Sequence, residues 1–256
     1  MKIASWNVNS IRMRLPNVLG WLERQQPDVL LLQELKCTND TFPEAEFKAA
    51  GYHAAVHGQK TWNGVAILSK LKIDHVKTGL PGGDGDEQSR YIEATVRGIR
   101  VASIYLPNGN PVDSEKYPYK LKWCDRLIAH ARSLLAEEVP AVLGGDYNVI
   151  PEPRDCHDPM AWQGDALFRI ESRRKFRELL YLGYTDAFRA FNDKDHQFTF
   201  WDYQAAAFQR NHGIRIDHIL CTPQAADALE NCVIDAEPRA EEKASDHTPI
   251  IATLRA

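Results

Sequence analysis

The sequence predicts an α/β fold in which two sheets pack face to face with helices outside. Three observations carry this expectation. Apolar runs of strand length alternate with helical patterns along all 256 residues. Most of the strands are short and bounded by turn residues, as in packed sheets. Neither G-x-G-x-x-G nor G-x-x-x-x-G-K-[ST] occurs, so the fingerprints of the competing doubly wound parallel sheet are missing.

Taken in order, Lys2 to Trp6 alternates and reads as a strand that runs into polar Asn7-Val8-Asn9. Ser10 is expected to cap a helix through about Gln25, with Ile11, Leu15, Val18, Leu19 and Leu22 on its apolar face. Pro27-Asp28 breaks it, and Val29 to Gln33 is a buried strand that finishes at Glu34. A short helix is expected over 44–50, then strands over 51–57 and 64–69. Gly and Asp make 80–88 a loop, and Arg97-Gly98 turns a hairpin between 90–96 and 99–105. The longest helical pattern covers 114–138, with Leu121, Leu127, Ile128 and Leu134. A buried strand from Val139 to Leu143 follows, then a long connection over 149–168, a helix over 171–182, a strand over 213–221 and a last strand over 249–254. No repeat, linker or low-complexity tract divides the chain, so one domain spanning 1–256 is expected.

Composition narrows the function classes. Hydrophobic content of 44% suits a globular core, and no apolar run approaches the roughly 20 residues of a membrane span. The start has no signal-peptide core, and five scattered cysteines form no C-x-x-C pair. A reducing cytoplasmic setting without zinc or a disulfide framework is therefore expected. The net charge of −4 is unlike a basic nucleic-acid module. It does suit an enzyme whose carboxylates gather around a metal, because the ion then supplies the positive charge.

The organising stretch is Gly144-Gly145-Asp146-Tyr147-Asn148 at the end of a buried strand. Two glycines let the backbone turn and leave room for a ligand. On strand-like backbone, Asp146 and Asn148 would project to one side, toward a cation, a water or a phosphate oxygen. Alone, this is also how an Asx turn closes a strand. Other strands end the same way, at Asn7, Glu34, Tyr105, Asp217 and Asp246-His247. Buried charges are costly unless paired or metal-bound, so six polar strand ends suggest one shared polar site.

The segments WNVNS (6–10), LLQELK (31–36), YLPNG (105–109), GGDYNV (144–149), RIDHIL (215–220) and SDHTP (245–249), in that order, resemble the exonuclease III family of bacterial DNA repair nucleases. GQKTWNGVAI (58–67) and TFWDY (199–203) match too. That family belongs to the endonuclease/exonuclease/phosphatase superfamily. The resemblance implies a four-layer αββα sandwich and hydrolysis of DNA phosphoesters with Mg²⁺, for which Mn²⁺ can substitute. The implied substrate is double-stranded DNA with damaged or recessed 3′ ends, met by a monomer that needs no membrane and no protein partner.

Carried onto these residues, the resemblance makes Glu34 the main metal ligand, helped by Asn7 and Asp246. Asp146 and Asn148 would face the attacking water and the phosphate, or hold a second ion. His247, oriented by Asp217, and Tyr105 would act on the phosphate. Asn108, Phe168, Phe200 and Trp201 would contact substrate, Phe200 at the sugar. His218 points away and reads as structural, and Lys60, Arg90 and Arg215 suit phosphate or scaffold roles equally. One departure stands out. Where the family has a small residue before a Phe-x-Pro stretch, Phe168 appears in Leu167-Phe168-Arg169-Ile170. A bulky ring there is expected to hinder incision at internal abasic sites and leave 3′-end trimming. The alternatives are a phosphatase for a small phosphoester, and a catalytically silent nucleic-acid-binding protein.

Overall fold

The computed structural model describes residues 1–255. In chain order the elements are β1 (Lys2–Asn7), α1 (Leu15–Gln25), β2 (Val29–Gln33), α2 (Glu44–Ala49), β3 (His53–His57) and β4 (Val65–Ser69). Next come β5 (Ile73–Thr78), β6 (Tyr91–Val96), β7 (Ile99–Tyr105), α3 (Lys116–Ala136), β8 (Ala141–Asp146), α4 (Pro159–Trp162) and α5 (Ile170–Tyr181). The chain ends with β9 (Thr185–Asp186), β10 (Asp217–Cys221), α6 (Pro223–Ala226), β11 (Leu229–Ile234) and β12 (Ile250–Leu254).

The strands form two six-stranded sheets, ordered β11-β12-β1-β2-β4-β3 and β5-β6-β7-β8-β10-β9. Each is mixed: β1 and β2 run parallel in the first, β7 and β8 in the second, and the other pairs are antiparallel. Both parallel pairs are joined through a helix, α1 or α3, because such a connection must cross the sheet. The four-layer αββα sandwich is present. Ile3, Val29, Leu31 and Ile67 meet Ile92, Val101, Val142 and Ile219 between the sheets. On the outer faces Leu30, Leu32 and Leu68 take α1 and α2, while Ile104, Leu143 and Leu220 take α3 and α5. Strands buried on both faces read as unbroken apolar runs, which is why β2 and β8 stood out in the sequence.

Two local expectations are corrected. Ser10 does not cap a helix: it lies at φ 91, and α1 starts at Leu15 with a proline in its first turn. The Ser10–Arg14 turn is held by Arg14, which donates to the carbonyls of Asn9 (2.6 Å) and Lys243 (3.1 Å) and to the Tyr203 hydroxyl (3.0 Å). Only the last five residues of the expected 213–221 strand pair as β10, since its start is drawn off toward Phe200. The Arg97-Gly98 hairpin holds, with both residues at positive φ (49 and 80). Edge strands β5 and β11 gave no sequence signal, because exposed edges carry polar, irregular patterns, and β9 is only two residues long.

Candidate active site

The architecture brings the polar strand ends together. Asn7 closes β1, Glu34 follows β2, Tyr105 closes β7 and Asp146 closes β8, so the carboxyl ends of both parallel pairs share one edge of the sandwich. Tyr105 and Asp217 are the register partners of Asp146 in its two neighbouring strands. The tail joins through Ser245 Oγ, which donates to Asn7 O at 2.7 Å, and Trp6 Nε1, which donates to His247 O at 3.2 Å. Beneath the site Gln33 donates to Ser5 Oγ (3.1 Å) and Ser103 Oγ (2.9 Å), a polar tie between the sheets.

Side-chain atoms of Glu34, Asp146 and His247 lie within 4.8 Å of one another. Asn7 Nδ2 bridges the two carboxylates, 2.9 Å from Glu34 Oε1 and 2.9 Å from Asp146 Oδ2. Its Oδ1 accepts from the Asn9 N–H at 3.0 Å, so a ligand role for Asn7 requires the amide to turn over. Lys36 Nζ pairs with Glu34 Oε2 at 3.0 Å, and the Tyr105 hydroxyl donates to Glu34 Oε1 at 2.9 Å. Glu34 sits at φ 52 just past the strand, a left-handed turn that swings it into the cleft. Burial opposes its charge, but Lys36, the Asn7 amide and His247 outweigh this and hold Glu34 below the ordinary carboxylate range.

His247 Nδ1 is 2.8 Å from Asp217 Oδ2, so this nitrogen carries the proton and Nε2 faces Asp146 Oδ2 at 3.8 Å. Burial disfavours the imidazolium, yet Asp217, then Asp146 and Asp246, raise its pKa to about 10. Asp146 moves the other way from a usual carboxylate. Burial, resisted by His247 and aided by Asp217 and Glu34, pushes it up to about 7. Burial and the neighbouring Glu34 and Asp146 keep the Tyr105 phenol neutral, and the Arg90 guanidinium stacks 4.7 Å over its ring.

These charges do not cancel. Lys36 pairs with Glu34, and His247 is shared between Asp217 at 2.8 Å and Asp146 at 3.8 Å, so three carboxylates face two cations. The oxygens of Glu34 and Asp146 therefore fit a hard divalent ion, which would relieve that excess. Asp246 stands further back. It is half-buried, and its Oδ1 accepts from Asn9 Nδ2 at 3.1 Å.

Asn148 reaches the site differently from the expectation. β8 ends at Asp146, and Asn148 adopts φ 47, so no strand alternation aims the two side chains together. A turn does it: Asn148 N donates to Asp146 Oδ1 at 2.9 Å, and Asn148 Oδ1 accepts from Asn108 Nδ2 at 3.1 Å. Gly144 and Gly145 leave room for protein, not ligand. A Cβ on Gly145 would meet Ile104 O at 2.0 Å, and one on Gly144 would meet Leu31 Cδ1 at 2.7 Å.

Phe200 is half-buried and meets the His247 ring edge-on at 5.0 Å, at the rim of the cleft. Trp201 is a correction. It is 3% exposed, packs on Phe198 and Phe208, and offers no face to a substrate. Leu167 and Phe168 are both buried in a cluster with Ile150, Ile214, Ile216 and Phe200, and Arg173 stacks 4.7 Å over the Phe168 ring. Arg215 is scaffold: it is buried between Asp155 (2.7 Å) and Asp186 (2.9 Å) and touches His218 on the far face of β10. Sequence reasoning passed over Lys36 and Asn9, whose only signal was adjacency to Glu34 and Asn7.

Fold and site define a two-sheet α/β sandwich with an acidic, cation-competent centre at one edge. Residues 4–247 match the Endonuclease/Exonuclease/phosphatase family, and the chain belongs to it. The chain is 33% identical to exodeoxyribonuclease III of Haemophilus influenzae, with all of both chains covered. Among solved structures, the 3′-5′ exonuclease (NExo) of Neisseria meningitidis is 43% identical, with a TM-score of 0.97 and complete coverage of both. An AP endonuclease from Archaeoglobus fulgidus is 42% identical, with a TM-score of 0.96 and the same coverage.

Proposed function

We propose that this chain is a DNA repair nuclease that uses Mg²⁺, or Mn²⁺ in its place, to hydrolyse phosphoesters at DNA 3′ ends. One observation carries the reading: Glu34, Asp146 and His247 meet at a single point where carboxylates outnumber cations. The 3′-5′ exonuclease and exodeoxyribonuclease III activities named for its full-length relatives support the substrate class. So does a Neisseria 3′ phosphatase, 42% identical, which was solved with a product DNA hairpin. In this reading one catalytic domain spans the chain and works as a monomer in the cytoplasm, where its five free, buried cysteines stay reduced. No helix among the described residues is long and apolar enough to cross a membrane.

Glu34 and Asp146 would hold the ion, with Asn7, Asn148 and Asp246 at its margin. Bound there, it supplies charge neutralisation at a phosphate oxygen. Asp146 also faces the attacking water and takes its proton. His247, charged and fixed by Asp217, donates its Nε2–H to a phosphate oxygen, so the triad carboxylate here stabilises a cation. The free N–H of Asn108 is a further neutral donor at the mouth, while the Tyr105 hydroxyl holds Glu34 through its one proton.

Leu167 and Phe168 back Phe200, the ring that meets His247, and in this reading their bulk favours 3′-terminal groups over an internal abasic site. An end-labelled duplex panel tests this: nick, recessed 3′ end, 3′ phosphate and internal abasic site, each with and without Mg²⁺. Mg²⁺-dependent attack on the first three, with weak abasic incision that Phe168→Gly raises at least about 10-fold, is expected. Efficient abasic incision by the wild type would overturn the preference. Phosphate release from small esters alone would replace DNA as the substrate, and binding without cleavage would replace catalysis.

A further inference from the structure

Lys120 lies on α3 and is fully buried, with a relative exposure of 0%. Lysines are almost never fully buried unless paired, and the hydrogen-bond partners of this one are not carboxylates. Its ammonium instead donates to two backbone carbonyls, Asn148 O at 2.6 Å and Asn108 O at 3.0 Å. Enclosing a lysine without a carboxylate partner is costly, and burial lowers its pKa to about 8. The fold tolerates that cost at the junction of two loops that carry site side chains.

The first loop follows β7 and presents Asn108, which is exposed at the mouth. The second follows β8 and presents Asn148 in its left-handed conformation. Gly109, at φ 90, closes over the lysine stem, and a Cβ there would lie 2.7 Å from Lys120 Cδ. The carboxamides of Asn108 and Asn148 then meet at 3.1 Å, and the Asn148 N–H meets Asp146. Asn148 Nδ2 also donates to Leu106 O at 2.9 Å, so the loops are tied directly as well, and the ammonium adds a bond to a backbone carbonyl of each.

We infer that Lys120 is a positioning residue that clamps the two loops and thereby sets the Asn108–Asn148 carboxamide pair against Asp146. It acts through Asn148 and does not touch substrate. The inference rests on the proposed role of Asn148 at the phosphate.

A double-mutant cycle on a recessed 3′-end duplex with Mg²⁺ tests it, with a thermal melt to confirm folding. Lys120→Met keeps the stem and removes the donors. It should lower kcat at least about 10-fold with KM changed less than about 3-fold, because misplacing a positioned group costs turnover rather than binding. In an Asn148→Ala background the same change should cost less than about 3-fold, the non-additivity of residues acting as a unit. Equal losses in both backgrounds, or a loss confined to KM, would overturn the clamp. If Asn148→Ala alone is fully active, the proposed role of Asn148 fails instead, which separates the two readings. Should Lys120→Met not fold, Lys120→Gln gives the same comparison with a milder change.

Discussion

The molecule buries two charged clusters a few residues apart along β10, and they are built to opposite ends. One is Asp155–Arg215–Asp186, with Arg189 also on Asp155 and His218 on Arg215. Here two carboxylates face two guanidiniums. Burial works against the Asp155 charge, yet the arginines hold its carboxyl well below the usual range. The other is Glu34–Asp146–Asp217–His247, where carboxylates exceed cations. There burial pushes Asp146 up to about 7. Successive residues of one strand serve both, since Asp217 and His218 point to opposite faces. The balanced cluster is finished as it stands and serves the fold. The unbalanced one holds an excess of carboxylate that a cation would relieve, which is why we propose it as the chemical site.

A crossed pair of substitutions breaks the comparison if it is false. Asp146→Asn removes the excess carboxylate charge and should lower kcat at least roughly 10²-fold, with the melting temperature unchanged or raised. Arg215→Met leaves Asp155 and Asp186 short of partners and should cost on the order of 3–5 kcal/mol of stability, with turnover per folded molecule retained. Steady-state kinetics beside urea denaturation reads both, and a swap of these phenotypes would reverse the assignment.

His218 sharpens the contrast by pH. Arg215 Nη1 donates to its Nδ1, so Nε2 carries the proton and donates to Val149 O at 3.0 Å. Burial, then Arg215, lowers its pKa from 6.5 to about 4. The unfolded chain thus binds a proton below pH 6.5 that the folded chain refuses until near pH 4, so this contribution to stability falls as pH drops through that window. The loss is on the order of 3 kcal/mol. Denaturation curves across the window should be flatter for His218→Gln, and an identical slope in both proteins would remove His218 from the account.

Much of this was legible because burial leaves a pattern. Strands covered on both faces are continuous apolar runs, and a polar residue ending one is conspicuous, so Asn7, Glu34, Tyr105, Asp146 and Asp217 could be picked out. Turn geometry was not legible. Nothing local reveals that Glu34 and Asn148 are left-handed, nor that Gly144 and Gly145 admit neighbouring strands instead of a ligand. Trp201 misled because an aromatic beside a pocket residue alternates into the core. Lys120 was silent because its partners are backbone carbonyls, which carry no residue identity.

The central claim is that Glu34 and Asp146, from different sheets, gather one divalent ion on which turnover depends. Its most direct test is hydrolysis of a recessed 3′-end duplex by wild type and Glu34→Gln across a Mg²⁺ titration. Wild-type activity should start from zero in chelator and saturate, with the midpoint for Glu34→Gln raised at least about 10-fold. Cleavage that persists in chelator, or identical midpoints for the two proteins, would contradict it.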